Sequence, residues 1–445
     1  MNSIAYAYFM SYIITEVYKY MKSIILKIKN NVGAFIIGAL GVVLRFIAML
    51  MANPKVFQHD VMQEGGHLDY AIYIFNHWKL ADTNYYEFAQ PPINAYLQAI
   101  VMKICSPFVR YSKINYTKLY STTIVLTFIF SCLTLFIIYK ILKEFDLGNL
   151  ATNIAFAIMA FYPGIIVLSA QYSNDNISYM FFYLSLYLSI RWAKTKKLST
   201  IILLALSIGI GMLTKISVGT IAFITGPMML AVLIKSKDKK KIFMQLIVFA
   251  LIVFPIGLSY SIRNYILFGQ KFGGVWEIAK GTLLDMRYYT YTIFDRYLSL
   301  PINRLFDKKS GIYHDMYEYN IWVDMIKTST FDEFNFGEGS IKTFLTFVYI
   351  LNIVFYAVSM VCIVLTLIDV IKVVINKKMG SQNSPIQSDL HLNFKIMCLM
   401  LFALAIFSYV FFNVRDPYSC NSNYRYVAYI TFAMSGCIAS RFINN

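Results

Sequence analysis

Residues 91–109 read "PPINAYLQAIVMKICSPFV". Whether this stretch crosses a membrane decides the layout of everything after it. It is largely apolar, yet it holds Asn94, Gln98 and Lys103 and is closed by Pro107. Loop charge arbitrates. Lys19, Lys22, Lys27 and Lys29 precede the first apolar run at 32–51. Four later runs are also basic: "KILK" (140–143), "RWAKTKK" (191–197), "KSKDKKK" (235–241) and "KVVINKK" (372–378). If 91–109 does not span, all these runs share one side with the N-terminus. If it spans, the later four are exported. Lysine and arginine in short loops collect on the cytoplasmic side, so 91–109 is read as an amphipathic helix lying in the outer interface.

Composition supports a membrane setting. Of 445 residues, 58% are hydrophobic and only 14% charged, whereas soluble domains carry about 25% charged residues. The net charge of +17 invites a nucleic-acid reading. However, the lysines lie in short runs between apolar stretches, with no zinc-finger spacing and no basic readout helix. Such runs suit loops beside an anionic cytoplasmic leaflet. The six cysteines include no CxxC pair, which argues against a metal knuckle or redox motif. A disulfide between Cys105 and Cys420 has no support in the sequence beyond a shared outer side. No A-x-A cleavage site follows the run at 32–51, so it is read as a retained anchor.

A span needs about 20 mostly apolar residues. Candidates lie at 32–51, 120–139, 150–169, 177–192, 199–214, 217–234, 242–261, 341–370, 394–412 and 426–442. The expected fold is an all-α integral membrane protein of about ten transmembrane helices, with both termini inside and juxtamembrane helices in the first external loop. Residues 1–31 form a cytoplasmic or interfacial segment, and 32–445 the polytopic domain. Its long external loops are 52–119 and 262–340. Long loops on a rigid scaffold commonly carry function.

The first of these loops opens with "FQHDVMQEGGHLDY" (57–70). Asp60 could act as a general base on a hydroxyl at the membrane surface; the plainer reading is a solvated loop aspartate. His59, Asp60, His67 and Asp69 could ligate a divalent metal, although they lack an i, i+4 pair of the HExxH kind. No other cofactor is indicated. Asp175, in "LSAQYSNDNIS" (168–178), suits a helix N-cap without excluding binding. Lys215 lies between two apolar runs, where lysine is costly and often functional, or else snorkels to the interface. Arg263 and Arg425 stand at the outer ends of spans, and Arg45 within the first span could snorkel outward in the same way. Trp78, Trp276 and Trp322 read as interface anchors.

Taken in order, these stretches resemble the polyprenyl-phosphate-sugar-dependent glycosyltransferases of the C-type membrane fold, family 39 in particular. That family includes protein O-mannosyltransferases and the aminoarabinose transferase of lipid A. The resemblance rests on "HDV…GHLDY", "YYEFAQPPINAYL", "SAQYSNDNIS", "GIGMLTKIS", "SIRNYILFG", "YNIWVDMIKTSTFDEFNF" and "DPYSCNSNYRY", which run in the family's order from about residue 33 to 440. No single motif is strong; the ordered set is. The resemblance implies Asp60 as catalytic base and Asp175 as the acid of the second external loop. It also implies a sugar donor on polyprenyl phosphate, drawn from the surrounding lipid. Two departures stand out. Here His59 precedes Asp60 and no Glu follows it directly, and Gln90 replaces the basic residue that many relatives carry before the proline pair.

The expected activity is inverting transfer of a sugar, by a hexosyl- or pentosyltransferase, to a hydroxyl of a protein, glycan or lipid acceptor. The site would face outside a bacterial cell membrane, with Arg263, Lys215 and Arg425 as candidates for the donor phosphate and Asp175, His59 and His67 as further binding residues. With no large external domain after the last apolar run, acceptor recognition is expected from 262–340 or from a partner. The competing class is a transporter or lipid flippase without transfer chemistry. It would place charged or broken helices at mid-membrane, whereas here the polar groups gather at the outer face. A non-catalytic membrane scaffold is the third class, and it makes Asp60 dispensable.

Overall fold

The computed structural model describes residues 31–112, 115–272, 280–306, 318–333, 341–378 and 386–443. Among them there are helices and isolated bridges but no strand. Hydrocarbon offers no partner for backbone N–H and C=O groups, so a chain this apolar satisfies them within helices. Six helical segments are long and apolar enough to cross a membrane: Val32–Met51, Thr117–Lys143, Ile216–Lys235, Lys239–Phe268, Lys342–Asn376 and Asp389–Arg415. The chain is a multi-pass membrane protein. Trp276 and nearly all of the 1–31 segment lie outside the described residues.

The other four expected spans fall below that measure of length and hydropathy, because their helices are broken, shorter or more polar. The stretch 150–169 is two helices, Asn149–Phe161 and Pro163–Leu168, with Tyr162 extended between them (φ −62°, ψ 123°). A proline disfavours helical backbone in the residue before it. The fourth candidate, 177–192, lies within Asp175–Thr195, whose serines and Arg191 hold down its hydropathy. Leu198–Met212 has 15 residues, about 22 Å at 1.5 Å each. Ile430–Ala439 has only ten and is buried almost throughout, so it is a core helix of the bundle.

We label the helices used below α1 (Val32–Met51), α2 (His67–His77), α3 (Ile93–Cys105), α4 (Asp175–Thr195), α5 (Ile321–Phe331) and α6 (Ile430–Ala439). The bundle is apolar outward. On α1, Phe35, Leu40, Val43 and Phe46 are exposed while Ala34, Gly41 and Arg45 face in. Arg45 does not snorkel. It is 1% exposed, and its Nε donates to Ser131 Oγ at 2.8 Å. Its remaining guanidinium nitrogens donate to the carbonyls of Gly41, Ala160 and Met159 at 2.9–3.2 Å. The carbonyls at Met159 and Ala160 belong to the last turn before the Pro163 break, so the arginine takes up acceptors that the interrupted helix leaves free.

Residues 91–109 contain α3, whose 13 residues reach only about 20 Å. This helix is too short to span, as the charge argument requires. It packs on α2 in a small separate core made of Leu68, Ala71, Ile74, Phe75, Ala95, Ala99 and Met102, closed by Tyr120 and Tyr172. Burying one such aliphatic side chain stabilises by about 1.5–3 kcal/mol, so this core fixes the loop after α1 on the bundle. On the other side of the site, α5 is buried along its whole length. It approaches so closely that a Cβ on Gly164 would lie 2.3 Å from the Ser329 carbonyl oxygen. Trp322 is part of this packing and not a surface anchor: its indole N–H donates to the Tyr297 carbonyl at 2.8 Å. Trp78 remains half exposed at the end of α2. Cys105 and Cys420 are free thiols.

Candidate active site

The loop entering α2 sets the site. Asp60 has φ +56°, a left-handed conformation that aspartate tolerates better than most residues. Its carbonyl accepts the N–H of His67 at 2.8 Å, which ties the loop to the free N-terminus of α2. Gly66 is needed for this: a Cβ there would sit 2.5 Å from the same carbonyl oxygen. Asp69 caps the turn by accepting the Gly65 N–H at 2.8 Å.

Turned outward by that backbone, the Asp60 carboxylate is gripped on both oxygens. Oδ1 accepts the Tyr86 hydroxyl and, at 3.0 Å, the Gln63 amide. Oδ2 accepts a guanidinium N–H of Arg425 at 3.3 Å. Burial pushes the acid upward, but Arg425, His59 and the Tyr86 hydrogen bond outweigh it and hold Asp60 at about 2. Its side chain keeps 27% exposure, so the carboxylate borders open space.

Arg425 lies in the 3-10 turn Tyr424–Tyr426, just before α6. Its backbone is pinned twice: its N–H donates to Asn423 Oδ1 at 2.8 Å, and its carbonyl accepts the hydroxyl of Tyr179 on α4. The guanidinium stands over the Tyr426 ring at 5.0 Å. Lys215 stands 5.1 Å from the same ring and is paired with Asp175. Asp175 is the first residue of α4, with Asn174 at the cap position, so its carboxylate serves Lys215 and Ser173 in place of capping. Arg425 is only 8% exposed. Among the described residues its Nε donor has no hydrogen-bond partner. A buried guanidinium with an unmet donor is costly unless something else meets it.

Two further groups complete the floor. His67 Nδ1 lies 3.3 Å from Glu87 Oε2, and both are buried. Burial lowers His67 to about 4 against the pull of Asp60 and Asp175. Burial and Asp60 raise Glu87 to about 8. At neutral pH the pair is therefore a neutral imidazole beside a neutral carboxylic acid. Glu87 and Tyr86 were not singled out in the sequence, although "YYEFAQPP" sits directly before the proline pair.

His59, Asp60, His67 and Asp69 do not converge on a common point. His59 instead meets two residues just after α5: Nε2 lies 2.8 Å from Asp332 Oδ2 and Nδ1 lies 2.5 Å from Glu333 Oε1. These three are the group among the described residues with ligand atoms close enough for a metal, all within 4.8 Å. Yet the carboxylates sit on opposite edges of the ring, each at hydrogen-bond distance. A zinc ion bound at one ring nitrogen would leave the other nitrogen hydrogen-bonded to its own carboxylate. As arranged, with a carboxylate oxygen at each ring nitrogen, the trio suits an imidazole that carries both N–H groups. Arg263 stands apart from the cluster. It donates to the Ala81 carbonyl at 2.6 Å and to Asn264 at 3.0 Å, and it packs against Tyr260 and Phe268.

Residues 89–259 match the model of a family described as dolichyl-phosphate-mannose-protein mannosyltransferase. The match includes Asp175 and Lys215 but stops short of Asp60, Arg263 and Arg425. No curated protein is significantly similar to the chain. Among solved structures, ArnT from Cupriavidus metallidurans in the apo state is similar at 11% identity and a TM-score of 0.40, over 92% of this chain and 76% of that one. The same protein bound to undecaprenyl phosphate gives the same identity and score over 92% and 77%. Over residues 89–259 this chain is thus similar to the dolichyl-phosphate-mannose-protein mannosyltransferases, in keeping with the family resemblance that its ordered motifs carry.

Proposed function

We infer that the protein transfers a sugar from a polyprenyl-phosphate-linked donor to an acceptor hydroxyl on the external face of the membrane, with inversion. The observation that carries this reading is the pair formed by Asp60 and Arg425, 365 residues apart in sequence. It sets a rim-exposed carboxylate against a buried guanidinium that still has a donor to give. A hydroxyl nucleophile and a phosphate leaving group need those two charges side by side.

The steps follow from the pair. A carboxylate held at about 2 is a weak base. The donor phosphate competes for Arg425, whose planar fork suits phosphate oxygens. As the guanidinium turns to the phosphate, Asp60 loses its strongest stabilising charge and becomes more basic. It then accepts the acceptor's proton while the acceptor oxygen bonds to the anomeric carbon. The bond from that carbon to the phosphate oxygen breaks on the opposite face. The anion developing on the lipid phosphate is stabilised by preorganised cations in a dry site, namely Arg425 with Lys215 behind it. Tyr86 and Gln63 keep Asp60 aimed. His67 and Glu87, both neutral, supply hydrogen bonds to sugar hydroxyls. Arg263, engaged with the Ala81 carbonyl, stands apart from the reacting atoms.

The test is release of free polyprenyl phosphate in proteoliposomes supplied with polyprenyl-phosphate sugar and cell-envelope acceptors. Transfer liberates one lipid phosphate per sugar moved, whereas lipid transport liberates none. Movement of intact donor without release would replace this reading with the transport one.

A further inference from the structure

Both ring nitrogens of His59 touch carboxylate oxygens, Asp332 at 2.8 Å and Glu333 at 2.5 Å. An ionised carboxylate only accepts hydrogen bonds, and a neutral imidazole has one N–H to give. Both contacts are satisfied together only when both nitrogens carry hydrogen. The contacts also belong to a closed circuit. Asp332 Oδ1 accepts the Asn423 amide at 2.6 Å. Asn423 Oδ1 accepts the Arg425 N–H at 2.8 Å. Arg425 reaches Asp60 at 3.3 Å, and Asp60 is bonded to His59. The circuit joins three segments remote in sequence: the first outer loop, the end of α5 and the turn before α6. Two of its members, Asp60 and Asp332, hold positive φ values (+56° and +62°), which persist only where the surroundings enforce them.

We propose that His59 is a positioning residue, a standing imidazolium clamped between Asp332 and Glu333, and that this clamp closes the circuit that aligns Asp60 with Arg425. The outer segment ending at α5 must therefore dock on the first loop before the site is assembled. The inference rests on the transfer reading for its catalytic consequence but not for the state of the ring. The charges facing His59 are consistent with it. Burial and Arg425 oppose the proton, but Asp332 and Glu333 outweigh them and raise the ring to about 10; Asp60 adds a further negative charge at its side. The clamp's contribution is complete below the ordinary histidine value of 6.5 and is lost as pH rises through about 10. A proton in this position also occupies the place a divalent ion would take.

The experiment reads the ring directly. Protein labelled with ¹⁵N-histidine has five imidazoles, and His59→Gln identifies the signals of one. At pH 8.5 an ordinary histidine is about 99% neutral, whereas His59 is expected to give two imidazolium-type nitrogens. The double variant Asp332→Asn/Glu333→Gln is expected to lower its transition by more than one pH unit. If that protein misfolds, Glu333→Gln alone is used and should lower it in the same direction. Neutral-ring signals for His59 at pH 8.5 would overturn the proposal. So would zinc titration that moves those signals with one ion retained per chain, which would make the trio a metal site. In release assays, Asp332→Asn and Glu333→Gln are expected to raise the donor concentration for half-maximal rate at least tenfold. An unchanged donor requirement with a charged ring would remove the positioning role. Wild-type protein that releases no lipid phosphate would sink the transfer reading while leaving the ring result intact.

Discussion

Replacing Asp60 by Asn separates chemistry from folding. The amide keeps the shape and one acceptor oxygen, and loses the charge and the basicity. The structure sets the folding cost. Asp60 is held at about 2 in place of an ordinary 3.8, which at 1.36 kcal/mol per pH unit gives roughly 2 kcal/mol. Its side chain is 27% exposed, so solvent screening trims that to about 1–2 kcal/mol. Because the native value is depressed, this contribution is present at neutral pH and lost as pH falls toward 2. Removing a general base costs about 10²–10⁴-fold in rate, or about 3–5 kcal/mol of barrier. At pH 7 Asp60→Asn should therefore lower the melting temperature in detergent by only a few degrees while cutting lipid phosphate release at least a hundredfold. The assay is release from radiolabelled donor in proteoliposomes, with the melt run on the same preparation. Release within a few-fold of wild type would refute the base assignment and turn attention to Glu87, whose carboxyl also lies in the cluster. His59 could not take its place if its ring is already charged, and Asp69 is committed to the turn at Gly65.

Three more expectations follow from the same geometry. Arg425→Lys keeps the charge but loses the fork, so the donor concentration for half-maximal release should rise about tenfold or more, while Arg263→Lys should change it little; the reverse order would reassign the phosphate site. Glu87 stays protonated to about 8 in the folded protein but ionises near 4.5 when unfolded, so its burial costs stability increasingly as pH rises between those values. Glu87→Gln should then raise the melting temperature more at pH 8 than at pH 5, and an equal change at both would contradict the buried neutral acid. For sidedness, in a background lacking Cys105 and Cys420, a cysteine at Lys79 should react with an impermeant thiol reagent in intact cells and one at Lys237 only after lysis; labelling of position 237 in intact cells would invert the orientation.

Much of the architecture could be read along the chain because hydropathy and loop charge act locally. The run at 32–51 reads as a membrane helix wherever it is placed. The basic runs at 140–143 and 235–241 mark a side without reference to any contact. The polar residues within 91–109 make α3 a poor span. These features depend on the solvent each segment meets, so composition carries them. The pairing of Asp60 with Arg425, and not with Arg263, has no such trace. Both arginines end apolar runs, and only the docking of α6 beside α4 brings one of them to the first loop. Glu87 looks like an ordinary loop acid until the small core of α2 and α3 closes over it. "TFDEF" was visible within a family motif, but its role as the other half of His59 was not. That contact joins positions 273 residues apart and exists only because α5 packs against the bundle. Periodicity records which face of a helix is buried; which charge a distant loop delivers to that face is decided by the packing alone.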